Sequence, residues 1–345
     1  MGERSDNTRT PDTRAGNSRV NASLAVRLML LGALAGPAKC QITPEQAAQI
    51  QDAIGDRIEA LTVLGGDYGL AGGNFRSTGR FQFGGNTAAQ LDVTKLGGSG
   101  PIGAPQPLGD LPVGWQPLVQ GNMGYIAATN ELHGTLLEGD VTKFDTFAVE
   151  FGGGVAFWMT NELSLAPTLM VLYGRTTNSY TANSDFMKAN LTLATQMGLV
   201  DWSVDSWILR PALNLQYVFT WDRTIITFSS NPTYFHTVDY SSSNENVKLN
   251  GYSAFVANTI EVDIPLGIEL YGHELRTGGD FSRTDLFGNL RSGLNEQYLY
   301  EVHGRLVLDF LNQLWKVQWI GIGASYNWGS NVKGWSAGAD VAFRF

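Results

Sequence analysis

The chain has 345 residues, of which 16% are charged and 11% aromatic, with 41 glycines, a net charge of −9 and a mean hydropathy of −0.09. No run of about 18 apolar residues occurs, which excludes a hydropathic membrane-spanning helix. The single cysteine, Cys40, excludes an intrachain disulfide, and the acidic balance argues against nucleic acid or another polyanion as the main partner.

Residues 1–27 are polar and contain arginines, and they precede a short apolar run from Leu28 to Ala35, followed by Gly36-Pro37-Ala38-Lys39-Cys40. A cationic flank, a short apolar core and small residues near a cleavage point predict a secretory signal within 1–40. Cleavage after Ala38 or after Cys40 fits equally, and Lys39 is too large for the residue that precedes a lipidated cysteine. This segment holds six basic and three acidic side chains, so the rest of the chain carries −12.

Residues 41–62 read as a helix. Thr43 can N-cap, Pro44 suits the first helical position and Gln46 completes a capping box. Ile50, Ile54, Ile58 and Leu61 then fall at helical spacing over 43–61. About 19 residues at 1.5 Å rise give roughly 28 Å, close to the height of a membrane barrel. Gly65-Gly66 follow at once, so the helix is expected inside the lumen, with a periplasmic helix outside the barrel as the alternative.

From residue 63 onward the pattern has period two. In 147–159, Phe147, Val149, Phe151, Val155 and Phe157 share a face opposite Glu150, Gly152 and Gly154, and in 163–173 Leu163, Leu165, Pro167, Leu169, Val171 and Tyr173 do the same. The pattern returns in 207–221 (Trp207 to Trp221 against Arg210), 252–264 (Tyr252 to Ile264 against Glu261 and Asp263) and 298–310 (Tyr298 to Phe310 against Glu301, His303, Arg305 and Asp309). It closes in 335–345, where Trp335, Ala337, Ala339, Val341, Phe343 and Phe345 oppose Asp340 and Arg344. Successive strand side chains point to opposite faces, so one face of each segment is apolar and the other polar. Aromatics gather at the ends of the apolar faces, as interfacial girdles require. A soluble sandwich also alternates, but without two girdles. Pro167 and Pro211 lie on apolar faces, where local bulges are expected.

Short connections are predicted at 160–162, 221–223, 265–267 and 311–314, and long polar ones near 130–143, 175–203, 240–247, 275–296 and 329–334. Short turns alternating with long loops predict an all-β, antiparallel transmembrane β-barrel over 63–345. The Gly/Pro-rich stretch 96–112 is an exception on the short-turn side. The count is twelve strands, with ten as competitor because 62–95 alternates poorly.

A signal, a lumenal helix and a twelve-stranded barrel ending in the aromatic strand 335–345 resemble the translocator barrel of autotransporters. With few residues between the signal and Thr43, the chain is most similar to the solitary barrels of that type, which lack a passenger. The resemblance implies a Gram-negative outer-membrane location, membrane lipid and the barrel-assembly machinery as partners, and Phe343 and Phe345 as the assembly signal.

The inward charges are the candidate chemistry: Glu150, Arg210, Glu261, Asp263, Glu301, His303, Arg305, Asp309, Asp340 and Arg344. They are expected to form a satisfied lumen network around Asp56 and Arg57, or to line a pore. Six acids against three arginines would favour cations. An open diffusion porin is the second reading. A third, an outer-membrane hydrolase, rests on His236 with Asp239 and His273 with Glu274, placed toward the outer strand ends. Neither histidine has a serine two residues away. No metal-ligand spacing or cofactor motif is present, and Gly152–Gly154 are expected to leave room beside the helix.

Overall fold

The computed structural model describes residues 54–64, 74–83, 89–109, 113–132, 138–314 and 317–343, with backbone alone at 74–83, 89, 311–314, 317–318 and 340–343. The alternating segments form strands β1 (Asn74–Phe83), β2 (Ala89–Pro101), β4 (Gly114–Glu131), β5 (Val141–Trp158), β6 (Leu163–Thr181) and β7 (Trp202–Trp221). They continue through β8 (Thr224–Ser242), β9 (Asn250–Leu270), β10 (His273–Gly288), β11 (Tyr298–Leu314), β12 (Val317–Trp328) and β13 (Val332–Phe343). Each pairs antiparallel with its neighbour in order, and β2 pairs directly with β4. The two-residue β3 (Gln106–Pro107) pairs only with the start of β4, inside the Gly/Pro-rich exception. β1 pairs with β13 from Asn74↔Val341 to Phe83↔Val332, which closes a twelve-stranded barrel. β1 and β2 are therefore full strands despite their weak alternation.

Burial follows the pleat. On β7, Val204, Ser206, Ile208 and Arg210 are buried, while Trp207 and Leu209 between them are nearly half exposed. The same outer face carries Phe151, Tyr252, Trp335 and Trp221, the last 71% exposed. So much aromatic surface turned outward around a closed sheet needs hydrocarbon against it, since water would penalise an apolar patch of that extent. Among the described residues no helix is long and apolar enough to cross a membrane; the strands cross instead.

The connections alternate in length as expected, with shifted ends. The turns at 222–223 and 271–272 have two residues, with left-handed backbone at Asp222 and at Tyr271 and Gly272. The second corrects the expected turn at 265–267, and β10 occupies most of the expected loop 275–296. β10 hid because Gly278-Gly279 and polar residues on its lumen face dilute the alternation. β5, β6 and β8 likewise run beyond the expected strand ends, since a sheet can continue above the bilayer where Ser, Thr and Asn suffice. β11 extends through Leu314, past the turn expected at 311–314. The long connections are 132–140, 182–201 with helix α2 (Asp185–Gln196), 243–249, 289–297 with helix α3 (Asn289–Leu294), and the shorter 329–331.

The bulges expected at the prolines do not form. The β6–β7 register runs unshifted through Pro167↔Leu213 and Leu169↔Pro211. The missing donors show on the other side: the β7–β8 ladder carries Leu209↔His236, Ala212↔Thr233 and Leu215↔Ser230 but no pairs at Arg210, Pro211, Leu213 or Asn214.

Candidate functional site: the plugged lumen

The described part of the N-terminal helix, α1, covers residues 54–64; the expected turns over 43–53 lie outside the described residues. Its side chains enter three apolar clusters on different sides of the barrel. Ile58 packs with Trp202, Val204, Val247 and Leu249. Leu61 packs with Leu91, Val93, Ile126 and Ala128. Ala60 and Val63 join Leu172, Ile208, Phe235, Leu290 and Leu294. A helix that touches β2, β7 and β9 at once is surrounded by the sheet. The lumenal expectation holds, and the periplasmic alternative does not.

Gly55 lies against the Lys248 carbonyl of the 243–249 connection, where a Cβ would sit 3.2 Å from it. Thr62 reaches deeper, to Thr176 Oγ1 at 3.4 Å, and Thr176 in turn pairs with Thr146 at 2.9 Å. α1 therefore descends from the long-loop end of the barrel. Space for it comes from glycines that the sequence did not single out. A Cβ at Gly174 would collide with Thr62, one at Gly251 with Glu59, and one at Gly293 with the α1 backbone at Asp56. The expected role of Gly152–Gly154 is corrected: there the nearest atoms belong to β4 and β6, so those glycines serve close strand approach.

Glu59 is the polar anchor of α1. Its Oε1 accepts from Ser253 Oγ at 2.7 Å and its Oε2 from Asn289 Nδ2 at 2.8 Å, while Ser253 Oγ also accepts the Leu290 N–H at 3.0 Å. One carboxylate thus ties the plug to β9 and to α3. α3 folds inward over α1 and buries Leu290 and Leu294.

The rest of the lumen is ionic. Arg210 Nη1 lies 3.2 Å from Glu150 Oε1, both side chains almost fully buried, and Asn122 Nδ2 donates to Glu150 Oε2 at 2.8 Å. Arg276 Nε meets Asp263 at 2.8 Å and its Nη1 meets Glu274 at 3.5 Å. Arg305 pairs with Glu261 and lies 3.9 Å from Asp263. His303 Nδ1 lies 2.9 Å from Asp280. Glu301 is buried, and Asp309 stands on the same face of β11. Of the expected lumen residues, the structure joins Glu150 with Arg210, and Glu261 and Asp263 with Arg305. Asp340 has backbone alone, as does Phe343, and Arg344 and Phe345 lie outside the described residues. Arg276 and Asp280 were missed because their strand read as loop, and Glu274, expected as a partner of His273, pairs with Arg276 instead.

At the long-loop end the buried Asp140 accepts from Asn183 N (2.6 Å), Ser184 N and Oγ (2.7 Å each) and Tyr180 OH (2.8 Å), and Ser184 caps α2. Burial alone would raise its pKa, but the Ser184, Tyr180 and Asn183 donors outweigh it and hold the carboxyl below its ordinary value.

For the hydrolase reading, His273 and Glu274 sit beside the 271–272 turn, at the short-turn end and not the outer one as expected. His236 stacks on Tyr252, on the outer face. Asp280, His303 and Ser325 are register partners across β10, β11 and β12. The ring Nε2 of His303, however, is directed at Gly323, and Ser325 Oγ bonds Ser336 at 2.7 Å. No base-to-nucleophile contact forms there. Among the described residues no group of metal-ligating side chains converges.

A comparison with curated proteins returned no match. Among solved structures, the chain resembles the β-domain of the Bordetella autotransporter BrkA (TM-score 0.51, 16% identity, covering 80% of this chain and 100% of that one). It also resembles the transport unit of the autotransporter AIDA-I from Escherichia coli (TM-score 0.51, 10% identity, 88% and 100% covered). At such identity these likenesses speak to fold. The sequence itself matches, over residues 107–337, the family model of the solitary outer membrane autotransporter β-barrel domain. With two thirds of the chain matched and a closed, plugged barrel behind the match, this protein belongs to the solitary outer membrane autotransporter β-barrel family.

Proposed function

We propose that the protein works as a sealed structural barrel of the outer membrane, with its long connections at the cell surface and no catalytic role. What carries this reading is the burial of Ile58, Leu61 and Val63 in clusters on different sides of the lumen. An apolar plug of that kind stands across the water path through the outer half. Residues 1–40 act as the signal and its extension, and Phe343 and Phe345 as the mark read by the barrel-assembly machinery.

A second reading, a narrow pore, is favoured by the ion-paired lower lumen. Were α1 to withdraw, Arg276 and Arg305 would face Glu261, Asp263, Glu274 and Asp280 across water, and the acid excess would favour cations. Planar-bilayer recording of the purified protein, with and without residues 41–64, tests both. Sealing predicts a quiet full-length protein and cation-selective conductance after deletion. Steady conductance of the intact chain, or none after deletion from a correctly closed barrel, overturns the plug reading.

A further inference from the structure

One concavity lies outside the lumen. A groove of about 440 Å³ runs along the outer face of the sheet, floored and walled by Leu215, Tyr217, Phe228, Ile260 and Phe281 and ending at Arg283. All five apolar residues but one are aromatic or β-branched, and all five are close to half exposed on the face turned to hydrocarbon. In a bilayer such a groove is filled by something apolar and elongated, because a void against lipid forfeits contacts on one side.

The end of the groove is polar and built. Arg283 is held in place by Asp285 (Nη2 to Oδ1 2.7 Å, Nε to Oδ1 3.2 Å), with its guanidinium 5.4 Å from the Tyr298 ring centre and 6.0 Å from that of Tyr300. Asn258, its register partner on β9, faces the groove beside it. A planar fork fixed by one carboxylate and two rings keeps free donors for a second acid group, for which phosphate has the matching geometry.

Along the same rung, Arg283 pairs with Tyr300, Tyr300 with Trp328 and Trp328 with Lys333. Lys333 is exposed, on the face that also presents Trp335. Two cations thus stand three inter-strand steps apart, roughly 14 Å at about 4.8 Å per step, with two aromatic rings between them. That separation is too wide for one phosphate. It fits a head group that carries two phosphates on a rigid sugar core. Arg283 lies six residues before α3 and its long connection, so this rung belongs to the outer leaflet if the long loops face outward, as proposed above.

We infer that the outer face of β8–β13 is a binding site for a bis-phosphorylated glycolipid of the lipid A type: one phosphate on Arg283, the other on Lys333, and an acyl chain in the groove below Arg283. The site rests on the proposed orientation but not on whether the lumen is sealed, so lipid retention reads it independently of conductance.

The test is native mass spectrometry of the detergent-solubilised, full-length barrel, titrated with hexa-acylated lipid A or with phosphatidylglycerol. Wild type should retain lipid A in preference to phosphatidylglycerol by at least about tenfold. Arg283→Gln and Lys333→Gln should each lower lipid A retention by roughly tenfold, and Ser230→Phe, which blocks the groove without touching a cation, should do the same. Arg175→Gln, at an exposed outward arginine beside Asp205 but outside the groove, should leave retention unchanged. Heat-dependent gel mobility checks that each variant is a closed barrel. Equal retention of the two lipids, or equal losses in the Arg283 and Arg175 variants, would overturn the site.

Discussion

Exchanging Ile58 and Leu61 together for alanine loosens α1 without touching the sheet. Both are almost fully buried, in two separate clusters that Phe144 flanks in common. A buried Ile or Leu cut to Ala costs about 2–5 kcal/mol, and because the two sites share Phe144 and couple, the low end of the range is taken for each. The pair therefore weakens docking by about 4 kcal/mol at the low end. At about 1.4 kcal/mol per tenfold, the undocked fraction rises by roughly a thousandfold. Single-channel recording reads that fraction directly, as openings that are rare in wild type and frequent in the variant. Leu209→Ala, on the outer face of β7, serves as control and should leave the trace unchanged. A double variant that stays as quiet as wild type, while running on gels as a closed barrel, would refute the claim that these contacts hold the lumen shut.

Arg210→Met strands Glu150 in a buried site, and losing one member of such a pair costs about 3–5 kcal/mol. The temperature at which the barrel loses its folded gel mobility should fall, and adding Glu150→Gln should recover much of it. Asp140 is held below its ordinary pKa, so its contribution is present above the unfolded-chain value near 4 and is lost as pH falls through the lower folded value. Hydrogen exchange in 182–201 should therefore rise only at strongly acid pH in wild type and already at neutral pH in Asp140→Ala. Four bonds to a charged acceptor at about 1.5–3 kcal/mol each make that difference large, and identical exchange would contradict it. Removing Phe345 should lower the amount of barrel assembled in cells while leaving refolding into detergent intact; unchanged assembly would remove the terminal strand as a signal.

The strands whose outer faces are unbroken, such as β7 with Trp207 through Trp221, were legible because lipid on one side and lumen on the other impose strict alternation. β10 was not. Its lumen face carries Arg276, Gly278 and Asp280, Gly279 interrupts the outer face, and a polar lumen tolerates residues that look like loop. The plug was legible as a helix from Ile54, Ile58 and Leu61, and its seat inside the barrel from the glycines that follow. What anchors it was not: Glu59 meets Ser253 and Asn289 across separations of 194 and 230 residues, and no local pattern announces a contact between such distant positions. Likewise Gly174 and Gly251 read as ordinary strand glycines until a helix is laid against them. The pairing of the inward charges, such as Arg210 with Glu150, depends on register, which hydrophobic pattern fixes to a face and not to a partner.

The seam between β1 and β13 joins residues some 250 positions apart, from Asn74↔Val341 to Phe83↔Val332. Every other long strand finds its neighbour through a connection of at most about twenty residues, so those hairpins can zip as they are made. This last pairing must instead enclose nearly the entire polypeptide, an entropically slow event. Until it happens, two unsatisfied edges face each other across the nascent sheet, and hydrocarbon cannot tolerate them. A chain that lacks β13 thus yields an open sheet with no route into the bilayer, and insertion becomes in effect a check that both seam strands are present.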